Sequence, residues 1–188
     1  MSLPPRIDLL RHGHTGQRSY RGQLDDPLSA LGWEQLRATA AAGAWEAVVS
    51  STLQRCAAFA TELATQRGLP LRLDARLAEY HFGDWQGVPI EDIDRDAGPA
   101  LGRFWADPVN HPPPGGEPFA AFGGRLRAAL DDIVAEHAGS GHRVLVVTHG
   151  GAIRALRCMA ERRPFGQMVE IEVPHASLHP LAWPPAAP

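Results

Sequence analysis

The run Arg143-Val144-Leu145-Val146-Val147-Thr148 constrains this chain more than any other stretch. Three valines and a leucine in succession, with no polar residue between them, do not suit a sheet that shows one face to water. They fit a central strand covered on both faces. Such a strand needs helices above and below it, and the rest of the chain offers them. Ile7-Asp8-Leu9-Leu10 reads as a short buried strand ending at Arg11-His12-Gly13, followed by a polar loop to Pro27. Ser29 is placed to cap a helix running through Leu31, Gln35 and Leu36 towards Ala42. Val48-Val49-Ser50-Ser51 is a second strand edge. Leu53 to Gln66 is helical, with Leu53, Cys56, Ala60, Leu63 and Ala64 on one stripe and Gly68 closing it.

Leu71-Arg72-Leu73 is a third strand. Residues 78–118 read as irregular, with the turn cluster Pro112-Pro113-Pro114-Gly115-Gly116. Phe119 to His137 spaces its apolar residues as a long amphipathic helix, and Ala152 to Glu161 as another. The alternating Met168 to Val173 and then Leu178 to Trp183 are further strand candidates. Strands alternating with helices predict an α/β sandwich with a mainly parallel sheet. At 188 residues it is expected to be one domain over 1–188, with a frayed tail at 184–188.

Composition narrows the function. A formal charge of -3, from 18 Lys+Arg against 21 Asp+Glu, is too acidic for a binder of long nucleic acid. No run of 18 apolar residues is present to span a membrane. Met1-Ser2-Leu3-Pro4-Pro5-Arg6 lacks a signal-peptide pattern, so the cytoplasm is the expected location. Cys56 and Cys158 both fall in helical segments and read as buried thiols rather than a disulfide.

Three polar clusters fall at strand ends, where ligands sit in such folds: Arg11-His12-Gly13, Ser50-Ser51 with Arg55 one turn later, and Thr148-His149-Gly150-Gly151. Two arginines and two histidines converge there only if an anion lies among them. A phosphate suits: Arg11 and Arg55 can fork onto its oxygens, and the helix N-terminus after His149 can add backbone donors. A neutral His12 nitrogen can attack phosphorus to give a phosphohistidine, with His149 donating to the phosphoryl group. Expulsion of the alcohol needs a proton, for which Glu79, His81 and Asp84 are all candidates.

Each piece alone has an ordinary explanation: a surface turn, a charged helix face, a solvated loop carboxylate. Joint placement at strand ends carries the argument. Trp33, Trp45, Trp105 and Trp183 read as packing residues; Trp85 is either packing or a wall of the leaving-group pocket. His111, His137, His142, His175 and His179 carry no signal. A broad-specificity phosphatase, a mutase sharing the pocket and a non-catalytic phospholigand-binding module stay open as alternatives. The rival from a different chemical class is a metal hydrolase, since His12-x-His14 resembles the opening ligand pair of zinc amidohydrolases. Those enzymes need a barrel of about 250 residues, and Arg11 opposes a cation. No other metal motif is present, and no cofactor is expected.

Five stretches in order resemble the histidine phosphatase (phosphoglycerate mutase-like) superfamily: Leu10 to Thr15; Gly22 with Asp25 to Gly32; Ser50 to Cys56; Leu77 to Trp85; and Thr148 to Gly151. The resemblance implies a three-layer α/β/α sandwich, His12 as phosphorylated nucleophile, Arg11, Arg55, His149 and Gly150 around the phosphate, and Glu79 as proton donor. It implies substrate contacts at Thr15, Arg18, Gly22, Gln23, His81 and Trp85, a substrate cap at about 86–118, and a small-molecule phosphate ester as partner. Arg21 to Leu28, Glu79 to Trp85 and Gly102 to Pro118 look most like the α-ribazole phosphatases of cobalamin biosynthesis, which implies α-ribazole 5'-phosphate as substrate. Many relatives carry Glu at position 14 and Asn at 18, where this chain has His14 and Arg18; Arg18 either replaces that Asn or faces solvent. The oligomeric state stays open, a homodimer included.

Overall fold

A computed structural model describes residues 4–184 and places the valine-rich run at the centre of a sheet. In chain order the main elements are β1 (Arg6–Arg11), α1 (Ala30–Ala41), β2 (Ala47–Ser50), α2 (Gln54–Arg67), β3 (Leu71–Leu73), α3 (Ile90–Ala106), α4 (Phe119–Glu136), β4 (Arg143–Thr148), α5 (Gly150–Glu161) and β5 (Leu178–Leu181). The sheet order is β3-β2-β4-β1-β5. The first four of these strands run parallel, and β5 closes the edge antiparallel to β1.

Residues Val144, Leu145, Val146 and Val147 are fully buried because each face of β4 has its own core. Val144 and Val146 pack with Ile7, Leu9 and Val49 beneath α4 and α5, among Leu126, Ile133 and Ile153. Leu145 and Val147 pack with Leu10 and Val48 against α1 and α2, among Leu36, Phe59 and Leu63. Alternate residues of one strand thus serve opposite layers, giving a three-layer α/β/α sandwich. Helix α1 opens as expected, with Ser29 Oγ accepting from the Gly32 N–H, and α2 stops at Gly68. Cys56 and Cys158 are free and buried.

Because β2, β4 and β1 are parallel neighbours, their C-terminal ends share one edge. Arg11 is in register with Thr148, and Ser50 with Val147. The three polar clusters therefore leave the sheet side by side.

Two expectations are corrected. The 78–118 stretch is not wholly irregular, since α3 occupies 17 residues of it. The chain kinks inside it just before Gly98-Pro99, where Ala97 leaves helical geometry at φ -139°, ψ 22°. Pro99 then lies in the first turn after the kink, where its missing N–H costs little. Met168 to Val173 is not a strand, because Phe165–Glu170 coils as a 3-10 helix. Burial alternates only over its last residues: Met168, Ile171 and Val173 are inside, and Val169, Glu170 and Glu172 outside. The carbonyls of Ile171 and Val173 accept from Arg154 and Arg11 instead of a neighbouring strand. Of the tail expected to fray, 185–188 lies outside the described residues. Among those described, no helix is long and apolar enough to cross a membrane.

Candidate active site

His12 is buried at the end of β1, and its ring Nδ1 lies 2.8 Å from the Gly13 carbonyl oxygen. A carbonyl only accepts, so Nδ1 carries the proton and the neutral ring keeps its lone pair on Nε2. Burial first, and then the positive field of Arg55, hold His12 well below the ordinary 6.5, so the ring is neutral at physiological pH. His149, at the end of β4, is lowered for the same two reasons. Its Nδ1 accepts from Arg55 Nε at 3.2 Å, which puts its proton on Nε2, 2.8 Å from Ser51 Oγ. The two rings face each other edge-on with centroids 5.3 Å apart.

Arg55 is buried in the first turn of α2, and it donates to the carbonyls of Gly22 and Leu24 at 2.6 Å each. It therefore fastens the 22–24 loop over the site as well as charging it. Arg11 donates to the Val173 carbonyl at 2.5 Å and to His175 Nε2 at 3.1 Å, while its buried Nε has no partner. Burial is the largest influence against its charge, with Arg154 and Arg55 adding to it; Glu79 is the largest in its favour. His175 is pushed down to about 4 by burial and by Arg11.

Three buried or half-buried neutral imidazoles make a pH prediction. Each has a folded value below 6.5, whereas the unfolded chain binds protons at about 6.5. Their contribution to stability is complete above that pH and is lost as pH falls from 6.5 towards the folded values. The urea midpoint is expected to fall steadily between pH 6.5 and 5. A flat midpoint across that window would contradict the neutral-imidazole assignment.

Glu79 sits opposite these groups. Its carboxylate accepts from the N–H groups of Gly151 at 2.9 Å, Ala152 at 3.1 Å and Tyr80 at 3.0 Å, so it occupies the N-terminus of α5. Those N–H groups serve Glu79 rather than a phosphate, which differs from the expectation for the helix start; Gly150 itself lines the cleft. Arg125 of α4 holds the segment by donating to the carbonyls of Arg76, Ala78 and Glu79 while pairing with Glu117 at 2.6 Å. Of the three candidate proton donors, Glu79 alone lines the cleft. His81 accepts from the Gly83 N–H at 3.1 Å, and Asp84 is exposed near Gly115.

The cleft has a volume of about 410 Å³. Arg11, His12, Arg55, Glu79 and Gly150 line it, with Thr15, Arg18 and Gly22 around them. His149 lies behind Arg55 and is fully buried. Arg18 is exposed at the rim. Gln23, His81 and Trp85 do not line it. Gln23 donates to the Glu79 carbonyl at 3.2 Å, and Trp85 is buried edge-on against Phe104. Trp105, read as a packing residue, instead lines the cleft beside Tyr20 and Phe82. Its Nε1 donates to the Tyr20 hydroxyl at 3.0 Å. Arg154, His175, Ile90 and Val169 also line it and carried no sequence signal. Among the described residues no group of three or more His, Cys, Asp or Glu is placed to hold a metal ion.

Residues 7–188 match the histidine phosphatase superfamily (branch 1). The chain belongs to that family. It is 38% identical over 163 residues to a glucosyl-3-phosphoglycerate phosphatase of Mycolicibacterium vanbaalenii, covering 80% of this chain and 72% of the relative. It spans 49% of the length of other mycobacterial relatives that it matches at 37% identity. The structure of a mycobacterial glucosyl-3-phosphoglycerate phosphatase in complex with VO3 superposes with a TM-score of 0.85 at 33% identity, covering 94% of this chain and 90% of the other. The α-ribazole phosphatase of Shigella flexneri gives 0.78 at 25% identity, covering 93% and 89%. This histidine phosphatase is a phosphoric monoester hydrolase.

Proposed function

We propose that the chain hydrolyses a small phosphate ester through a phosphohistidine on His12. The carrying observation is the Nδ1 bond to Gly13, which leaves Nε2 as an unprotonated nucleophile in a cationic cleft. Nε2 forms a bond to phosphorus as the ester P–O bond breaks, and Glu79 gives its proton to the departing oxygen. Water then attacks the phosphoryl group, Glu79 takes the water's proton, and the N–P bond breaks to release phosphate. Arg11 and Arg55 stabilise the charge on the transferring group, and His149 joins them only when its Nε2–H leaves Ser51 Oγ for a phosphoryl oxygen. The segment 86–118 acts as the substrate cap, with Ile90 and Trp105 of α3 contributing to the wall.

For the substrate, the greater similarity to glucosyl-3-phosphoglycerate phosphatases favours that ester over α-ribazole 5'-phosphate. The aromatic wall of Tyr20, Phe82 and Trp105 favours the second reading, because a flat base stacks on such rings. Measuring kcat/KM on both esters in EDTA decides between them. A 100-fold preference, about 2.7 kcal/mol of transition-state binding, assigns the substrate. Flat activity on the two points to another ester, and no phosphate release from any ester overturns the phosphatase reading.

Glu79→Gln tests the proton donor. It is expected to slow an alkyl ester at least 30-fold more than p-nitrophenyl phosphate, whose leaving group needs little protonation. Equal losses on both would remove Glu79 from that role.

A further inference from the structure

The cleft carries more positive charge than a transferring phosphoryl group needs. Five arginines line it, at 11, 18, 21, 55 and 154, against one carboxylate, Glu79. Asp26 neutralises Arg21 through two bonds, at 2.7 and 2.8 Å. Four cations then face one carboxyl group, a surplus of three with Glu79 ionised and four with it protonated, where a phosphomonoester dianion brings two. The excess calls for a further negative group on the substrate.

Arg154 is the residue built to receive it. Its Nε donates to the Ile171 carbonyl at 2.9 Å, which pins one edge of the guanidinium. The two terminal nitrogens make no hydrogen bond or ion pair among the described residues and present a planar pair of donors. Nη1 lies 3.3 Å from the point a side chain at Gly150 would occupy, and the partnerless Arg11 Nε lies 3.3 Å from the same point. The absent side chain leaves that space open between two guanidinium groups. The next residue, Gly151, faces the Glu79 carboxylate in the same manner. Arg154 and Glu79 line the same cleft, so a substrate whose leaving oxygen meets Glu79 can bring its non-transferred part to Arg154.

We infer that Arg154 is the specificity-determining contact for a carboxylate on the leaving group, the feature that separates a phosphorylated hydroxy acid from a neutral phosphorylated alcohol or nucleoside. This rests on the phosphatase reading above. A two-donor planar edge matches a carboxylate in shape, and a charge-assisted pair of that kind discriminates by about 10- to 100-fold.

The test compares 3-phosphoglycerate with glycerol 3-phosphate, which differ in a carboxylate against a hydroxymethyl group. The wild-type chain is expected to prefer 3-phosphoglycerate in kcat/KM, and Arg154→Gln to cut that preference at least 30-fold, chiefly through KM. Arg154→Lys should restore part of it. Equal losses on the two esters would make Arg154 a phosphoryl contact, and an unchanged preference, or none in the wild type, would equally overturn the proposal. Calorimetric binding of both esters to His12→Ala, with and without Arg154→Gln, gives a reading independent of turnover. If no ester is hydrolysed, the phosphatase reading fails while this difference in affinity still decides the carboxylate site: its presence supports Arg154, and its absence sinks it.

Discussion

A His12→Ala chain is expected to lose about 10⁵-fold in kcat, down to background phosphate release, while remaining folded. That loss corresponds to about 7 kcal/mol of transition-state stabilisation. The size follows from the chemistry: the proposed route passes through a covalent N–P bond, and no neighbouring group supplies the same lone pair at the same place. His149 is the nearest imidazole, but its Nδ1 accepts from Arg55 and its Nε2 faces Ser51. The fold tolerates the change because His12 is neutral and its one ring bond is to the adjacent Gly13 carbonyl. A second readout separates a lost nucleophile from a disturbed pocket. Phosphoramidates survive alkali and hydrolyse in acid, so label from a ³²P-ester should stay on wild-type protein quenched in alkali. It should be absent from His12→Ala. Label retained by the variant, or undiminished turnover, would end the phosphohistidine proposal.

The sequence was most legible where local chemistry and global packing agree. The β4 run could be read as central because four consecutive large apolar residues, three of them β-branched, fit a strand covered on both faces, and Ser29 could be read as a cap because a hydroxyl before an apolar period has few other uses. Arg11, His12 and Arg55 were legible from their place at or just after strand ends, and Glu79 as one of three candidate donors that the family resemblance singled out; the structure brings all four to one cleft. The rest depended on contacts that no local pattern encodes. Helix α3 was hidden by Gly98-Pro99, which marks a kink inside it rather than its absence. Arg154 reads as an ordinary charged position on an amphipathic helix until the Ile171 carbonyl is seen to fix its direction. His175 lies in a stretch without regular structure, and it reaches the site only because the Ser177 carbonyl accepts from the Arg11 N–H and its own ring meets the Arg11 side chain. Trp105 lies in the cap region and Trp85 just before it, and one lines the cleft while the other lies in the core. Trp85 packs edge-on against Phe104 while Trp105 bonds to the Tyr20 hydroxyl, and composition says nothing about either contact.

The largest effect on stability is expected from Gly13→Ala, at the residue that follows the nucleophile. A Cβ on Gly13 would lie 2.2 Å from the Gly32 carbonyl oxygen and 2.7 Å from its Cα. All of these are backbone atoms, so no side-chain rotation relieves the clash. The neighbouring contact is as tight in the other direction, since a Cβ on Gly32 would lie 2.1 Å from the His14 oxygen. Nor can α1 retreat as a body. Leu36 and Ala40 hold it in the core, the Ser29 N–H donates to the His14 carbonyl at 2.9 Å, and the His14 N–H donates to Gln35 at 3.0 Å. The first turn of α1 and the end of β1 are thus locked together, and the methyl group must break one of those attachments. A cost of about 3 kcal/mol or more is expected, which lowers the urea midpoint by about 1.5 M for a chain of this size. Gly102→Ala is the control: it sits in α3 with nothing within 4 Å of its Cβ position, so the substitution should be neutral or stabilising by up to about 1 kcal/mol. Equal midpoints for the two variants would mean that the nucleophile loop and α1 do not approach backbone to backbone. If Gly13→Ala still folds at low temperature, its activity should fall with its stability, because the same close approach sets the Gly13 carbonyl that fixes the His12 tautomer.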